Sequence, residues 1–284
     1  MALMKVITDG ASDIPFEVAR DLEIEVVPLL AQIDDRLYRI GIDISEDQVY
    51  DLLFNGHDRV EIVKPSATVF EQLYRSLLGR YDYVYSIHLS HRLGSILSEA
   101  QTACARLPAS NTRIEVIDSK LAGMGQGSVA IAAARAIRDG MSPAEVSDLI
   151  GQTIRHTHTA FFVDTMEYLE QSGLLTFSGS LIGSMQRIKP LMILDEGEIV
   201  PYERTRTRAK AIEGLFTFVE DFPHVEDVII HYATTPEDVE KLLEKLDPIF
   251  PRDRVQVSRM GPAIAARLGP GAMAVTVFEG FDEA

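Results

Sequence analysis

Short apolar runs alternate with amphipathic stretches through the first half of this 284-residue chain, the pattern of βαβ units folded into a mainly parallel sheet. Lys5-Val-Ile-Thr8 predicts a strand and Asp9-Gly-Ala-Ser-Asp13 a turn. Ile14 to Leu22 predicts a helix, with Asp13 as its cap and Pro15 in its first turn. Further strands are expected at Tyr83 to His88 and Arg113 to Asp118, followed by helices from Ser95 to Leu107 and from Gln126 to Asp139. Ile24 to Ile33 and Arg36 to Ile42 flank Asp34-Asp35, so a small β-hairpin insertion is expected near residues 24–42.

In the second half the rhythm changes. Thr159 to Val163 starts a strand, Met166 to Gln171 a short helix, and Ile188 to Leu194 pairs with Glu198 to Glu203 across a Glu196-Gly197 turn. A helix from Thr207 to Phe222, a strand from Asp227 to Tyr232, a helix from Pro236 to Leu246 and strands near Val255 and Val275 complete a mixed sheet. The expected fold is therefore α/β in two domains. Residues 1–158 carry the mainly parallel sheet and residues 159–284 the mixed one, with a ligand cleft expected between them.

Composition narrows the function classes. Hydrophobic residues make up 46% and charged residues 25% of the chain, ordinary for a soluble globular protein. A formal charge of −16 repels phosphate backbones and anionic lipid surfaces, so nucleic acid is not an expected partner. No apolar run approaches the roughly 20 residues of a membrane span, and the first acid, Asp9, precedes any apolar segment long enough for a signal peptide. Cys104 is the one cysteine; its setting reads as helical and its thiol as buried and inert. A reducing cytoplasm is the expected compartment.

The chemical motifs are thin. Gly123-Met-Gly-Gln-Gly127 follows a strand and precedes a helix, where glycines let backbone amides approach a phosphate, but its spacing is not that of a dinucleotide fingerprint or a P-loop. His156-Thr-His158 and His88-Leu-Ser-His91 offer too few ligands for a metal site. Asp9 and Asp13 flank the first βα turn, a place for a phosphatase nucleophile, but serve equally as turn former and cap. Ser90, Ser95 and Ser98 lack the nucleophile elbow of a hydrolase. A small-molecule phosphotransferase using loop 123–127 stays open as the alternative function.

Several ordered segments are similar to the DegV family of bacterial lipid-binding proteins. Thr8-Asp-Gly-Ala-Ser-Asp-Ile-Pro15 resembles the opening T-D-S-x-S-D-L-P, and Ile62-Val-Lys-Pro-Ser66 falls at T-S-Q-P-S. Ser90-His-Arg-Leu-Gly-Ser-Ile96 falls at S-S-x-L-S-G-T, and Ile117-Asp-Ser-Lys120 with Gly125-Gln-Gly127 resembles D-S-K and G-x-G. Tyr168-Leu-Glu-Gln-Ser-Gly173, Ile188-Lys-Pro-Leu191 and Gly269-Pro-Gly271 complete the set.

The resemblance implies one long-chain fatty acid held between two α/β domains, without a resident cofactor and without catalysis by this chain. Its carboxylate would lie near loops of the first domain and be presented to a separate fatty acid kinase. The matching carboxylate-binding positions are Ile62, Ser66, Ser90, Gly94, Ser95 and Arg267. Ile62 lacks the hydroxyl of the family threonine, Ser95 is shifted by one position, and Arg267 stands for a histidine. Leu174 replaces an arginine associated with kinase docking, leaving Arg204, Arg206 and Arg208 as docking candidates. Candidate tunnel residues are Phe161, Leu169, Phe177, Leu181, Ile182, Met185, Ile188 and Leu191. Burying about 14 methylenes at roughly 0.8 kcal/mol each gives on the order of 11 kcal/mol before ordering and association costs, so the carboxylate sets orientation more than affinity.

Overall fold

The expected strands form in a computed structural model, which describes residues 2–56, 60–174 and 188–281. Backbone contacts divide the chain into two units, Met1–Ile154 and Arg155–Ala284. The division precedes residue 158 because the strand Thr157–Phe162 pairs wholly within the second unit.

In the first unit, β1 (Met4–Asp9), β2 (Glu25–Val27), β6 (Tyr83–His88) and β7 (Arg113–Asp118) form a parallel sheet in the order β2-β1-β6-β7. The hairpin is shorter than expected. It consists of β3 (Leu30–Ile33) and β4 (Arg36–Arg39), with β5 (Val60–Val63) pairing antiparallel on the other edge of β3. Residues 25–27 belong instead to the parallel sheet.

Helices α1 (Phe16–Asp21), α2 (Glu46–Phe54), α3 (Ala67–Leu77), α4 (Ile96–Ala105), α5 (Gly123–Arg138) and α6 (Pro143–Arg155) complete this half of the chain. Ser45 and Gln48 close a reciprocal capping box on α2. Asp13 does not cap α1: its φ of 52° puts it in the left-handed region, and Pro15 occupies the N-cap. The alanine-rich face of α5 sits close on the sheet, with Val129, Ala130 and Ala133 packed beside Val6, Tyr85 and Ile87.

The second unit holds a mixed sheet in the order β10-β9-β8-β13-β11-β12. Its strands are β8 (Thr157–Phe162), β9 (Lys189–Asp195), β10 (Glu198–Thr205), β11 (Asp227–Tyr232), β12 (Val255–Arg259) and β13 (Met273–Phe278). Only β11 and β12 run parallel among the described pairs. The β9–β10 turn places Glu196 and Gly197 at positive φ, as the twist of a two-residue hairpin demands. Helices α7 (Glu167–Ser172), α8 (Arg208–Glu220), α9 (Pro236–Leu246) and α10 (Pro262–Leu268) accompany the sheet. Ile212, Leu215, Leu242 and Leu246 pack with Phe162, Leu191, Ile230 and Val275 to form the core.

Candidate functional site

The sheet order of the first unit has a topological switch point between β1 and β6. From β1 the chain goes to β2 on one side, and from β6 to β7 on the other. The loops leaving β1 and β6 therefore diverge, which opens a crevice at the carboxyl ends of these strands.

A buried polar chain fixes this edge. Asp9 Oδ2 lies 2.9 Å from His88 Nδ1 and accepts the Leu89 N–H at 3.2 Å, while Oδ1 accepts the Ala11 N–H at 3.0 Å. On its far side, His88 Nε2 meets Ser86 Oγ at 2.8 Å, and Ser86 Oγ meets the Tyr74 hydroxyl at 2.8 Å. All four side chains are fully buried. Burial raises the Tyr74 phenol above its ordinary pKa, with the Ser86 hydrogen bond opposing. The connectivity is that of a Ser-His-Asp triad. Ser86 nevertheless shows no surface and is occupied by Tyr74, so the chain holds the β1 and β6 ends in place. Asp9, weighed as a nucleophile from the sequence, is spent on this scaffold.

The glycine-rich run turns out to be packing. Residues 123–127 form the first turns of α5, and the Gly123 N–H donates to Ala11 O at 2.9 Å. A Cβ on Gly127 would sit 2.5 Å from Ser12 O, so glycine lets α5 approach the 10–14 loop. Gln126, fully buried, donates to Thr8 Oγ1 at 3.0 Å.

The carboxylate-site candidates of the first unit fall on three elements. Ile62 lies on β5 opposite Ala31, half-buried, with no donor to offer. Ser66 is the N-cap of α3 and exposed, with no capping bond from its side chain. Ser90 and Gly94 belong to the loop after β6. Ser90 is buried, its carbonyl accepts the Leu93 and Gly94 N–H groups at 3.0 and 3.2 Å, and its Oγ accepts the Arg92 N–H at 3.2 Å. The Gly94 amide is thereby spent within the turn. Ser95, exposed, is the N-cap of α4.

Two residues that sequence reasoning missed organise this edge. Lys64 Nζ donates to Ser95 Oγ at 2.6 Å and pairs with Glu99 Oε1 at 2.8 Å. Glu99 Oε2 accepts the Ala67 N–H at 2.8 Å, taking the cap of α3 that Ser66 leaves open. The Lys64 hydrogen bond holds the Glu99 carboxyl below its usual pKa, assisted by the Ala67 amide against burial. The only sequence signal was position, since Lys64 directly precedes Pro65-Ser66.

In the second unit Arg267 lies on α10, half-buried, and burial pushes its guanidinium below the ordinary value. The following Gly269 has φ of 87°, and a Cβ there would meet Tyr168 Cδ2 at 2.5 Å. Gly271 leaves room for Asp164, whose Oδ2 would lie 2.0 Å from an added Cβ. The Gly269-Pro270-Gly271 motif thus seats α7 and Asp164 against the end of α10.

Arg208 differs from its expected place on a free docking surface. Its guanidinium binds Asp238, Asp164 Oδ1 at 3.0 Å, Gly271 O at 2.8 Å and Thr235 Oγ1 at 2.6 Å, and lies over the Phe162 ring. Arg204 and Arg206 are exposed, and Leu174 is half-buried. Among the tunnel candidates, Phe161, Leu169 and Leu191 are buried and Ile188 is half-buried. Phe177, Leu181, Ile182 and Met185 lie outside the described residues.

The remaining candidates are held locally. His91 pairs with Asp118, and His156 and His158 share Glu279 at 3.2 and 3.1 Å. No group of three possible metal ligands forms among the described residues. Cys104 is half-buried on α4, and burial raises its thiol pKa. No helix among the described residues is long and apolar enough to cross a membrane.

Comparison with known proteins places these features in a lineage. The family model described as uncharacterised protein, DegV family, matches residues 3–280. A DegV domain-containing protein of Listeria innocua is 30% identical over 95% of this chain and 96% of its own length. One from Caldanaerobacter subterraneus is 29% identical over 97% of this chain and 98% of its own. Among solved structures, DegV of Bacillus subtilis, described as a fatty acid binding protein, superposes with a TM-score of 0.87 at 28% identity, covering 98% of this chain and 100% of its own. A fatty-acid-binding DegV family protein from Thermus thermophilus gives 0.86 at 25% identity, with 98% and 100% coverage.

Proposed function

The chain belongs to the DegV family, and from that premise we propose that it binds one long-chain fatty acid, with the carboxylate at the β1/β6 edge of the first unit. The observation that carries this reading is the edge itself. A buried hydrogen-bonded chain pre-organises the loops after β1 and β6, and exposed Ser95 with half-buried Lys64 bound to it stand beside that edge. Relatives of matching fold at 25–28% identity are described as fatty acid binding.

In this reading the chain is a carrier in the cytoplasm with no resident cofactor, and a separate kinase acts on the presented carboxylate. Ser66, Ser90 and Gly94 shape the carboxylate edge, Arg267 is the half-buried cation of the second unit, and Phe161, Leu169 and Ile188 are the apolar residues left for the acyl chain, since Leu191 shares a sheet face with Phe162 and belongs to the core of its unit. Arg204 and Arg206 are the exposed cations left for an acidic face of the kinase. The phosphotransferase alternative loses its main support, because Gly127 is accounted for by helix packing and the Gly123 amide is occupied.

Native mass spectrometry of gently purified protein tests the proposal. A co-purified acyl chain, and one equivalent of myristic acid rebound after delipidation, are the expected results. Absence of bound lipid at saturating myristate, or tight retention of ATP, overturns it.

A further inference from the structure

The ammonium of Lys64 is incompletely used. An ammonium has three donors. One goes to Ser95 Oγ at 2.6 Å and another to Glu99 Oε1 at 2.8 Å. No further partner of Lys64 occurs among the described residues. Ser95 Oγ accepts from Lys64, so its own O–H points elsewhere, and among the described residues nothing accepts it. The Lys64 side chain is 38% exposed.

The pair is held rigidly. Glu99 is anchored at its other oxygen by the Ala67 N–H and cannot swing away without uncapping α3. Lys64 is therefore fixed by its chain on one side and by Glu99 and Ser95 on the other. What remains is one N–H of a cation and one hydroxyl O–H on neighbouring groups, with Ser95 exposed and Lys64 partly so. That donor pair suits an anion with two oxygens.

Resting on the fatty-acid reading above, we propose that Lys64 is the charge-recognition residue of the first unit, donating with Ser95 to the ligand carboxylate and making the site select an acid over a neutral lipid. The role belongs to this chain's own sequence, since the T-S-Q-P-S pattern carries an uncharged glutamine where Lys64 stands. Glu99 supplies the counter-charge to Lys64 and sets how strongly Lys64 attracts an anion. The interaction is partly exposed, so it weakens as salt rises.

The test measures binding of myristic acid and of tetradecanol to the delipidated full chain at low and high salt. The wild type should prefer the acid. In Lys64→Gln the acid should bind about tenfold more weakly, with tetradecanol unchanged and the salt dependence of acid binding reduced. Lys64→Arg should keep the preference, because it keeps the charge. Unchanged alcohol binding also shows that the Gln variant is folded. If it is not, Lys64→Met serves by the same criterion. A wild type that binds acid and alcohol equally, or a Lys64→Gln protein that retains the full acid preference, overturns the role of Lys64 while leaving acyl binding standing. If the wild type binds neither lipid, the fatty-acid reading itself fails, and this inference with it.

Discussion

His88 presents Nδ1 to Asp9 Oδ2 at 2.9 Å across two neighbouring parallel strands, with neither side chain exposed to solvent. The pair joins the carboxyl ends of β1 and β6, and Ser86 and Tyr74 extend it to α3. Removing the imidazole takes one buried partner from Asp9 and one from Ser86 at once, leaving Asp9 its two amide donors and Ser86 the Tyr74 hydroxyl. His88→Ala is expected to cost about 3 kcal/mol of unfolding free energy, the scale for breaking a buried polar pair. Urea denaturation followed by circular dichroism reads this, and a change no larger than that of an ordinary surface substitution would show that the chain is not a structural tie.

Gly127→Ala distinguishes packing from phosphate binding. The added methyl meets the backbone oxygen of Ser12 at 2.5 Å and Ile14 Cγ1 at 2.9 Å, and a backbone atom yields little. Overpacking should outweigh the gain in helix propensity and leave a net loss of about 1–3 kcal/mol. Thermal unfolding checks it. A variant more stable than the wild type would mean that α5 does not need this close approach.

His231 makes stability fall with acid. It is buried on β11 against Thr276 Oγ1 at 3.0 Å, and burial lowers its pKa from the ordinary 6.5 to about 4. As pH drops below 6.5 the unfolded chain takes up this proton first. The contribution is therefore complete above about 6.5 and is lost progressively down to about 4, some 3 kcal/mol in all. Urea midpoints measured from pH 7 to pH 4.5 should decline more steeply for the wild type than for His231→Gln. Parallel declines would exclude His231 as the source.

Arg267 and Ser95 should separate in their effect on fatty acid binding. If the half-buried guanidinium faces the ligand, Arg267→Ala weakens myristate binding by about 2–5 kcal/mol, since a buried carboxylate loses its charge partner. Ser95→Ala removes a neutral donor and should cost about 0.5–1.5 kcal/mol. Calorimetry on both variants orders them, and full affinity in Arg267→Ala takes the arginine out of the site.

A kinase that reads an exposed basic surface should notice Arg206. On the proposed presentation to a fatty acid kinase, charge reversal by Arg206→Glu is expected to lower acyl phosphate formation about tenfold while leaving myristate affinity intact. Unchanged turnover would move docking to another face.

Local pattern determined the elements whose residues carry their own signal. The strands Tyr83–His88, Arg113–Asp118 and Asp227–Tyr232 and the helix Pro236–Leu246 fall where the apolar periodicity puts them, because each buries a face that alternation or a 3.6-residue repeat already marks. Signals of the same kind stand at α2, where Ser45 and Gln48 spell a capping box, and at α3, whose Phe70, Tyr74 and Leu77 line one face. The family motifs also marked the loops of the first unit. The tertiary structure decided the rest. Strand β5 is four residues that become a strand by pairing with β3, and position 127 of α5 takes glycine because Ser12 and Ile14 leave no room for a side chain. Asp9 finds His88 across 79 residues of sequence, and Lys64 finds Ser95 across 31. Such meetings follow from which strands become neighbours and from which face each side chain leaves. No periodicity along the chain encodes them, because the hydrogen bond exists only once the sheet order has brought its two ends together.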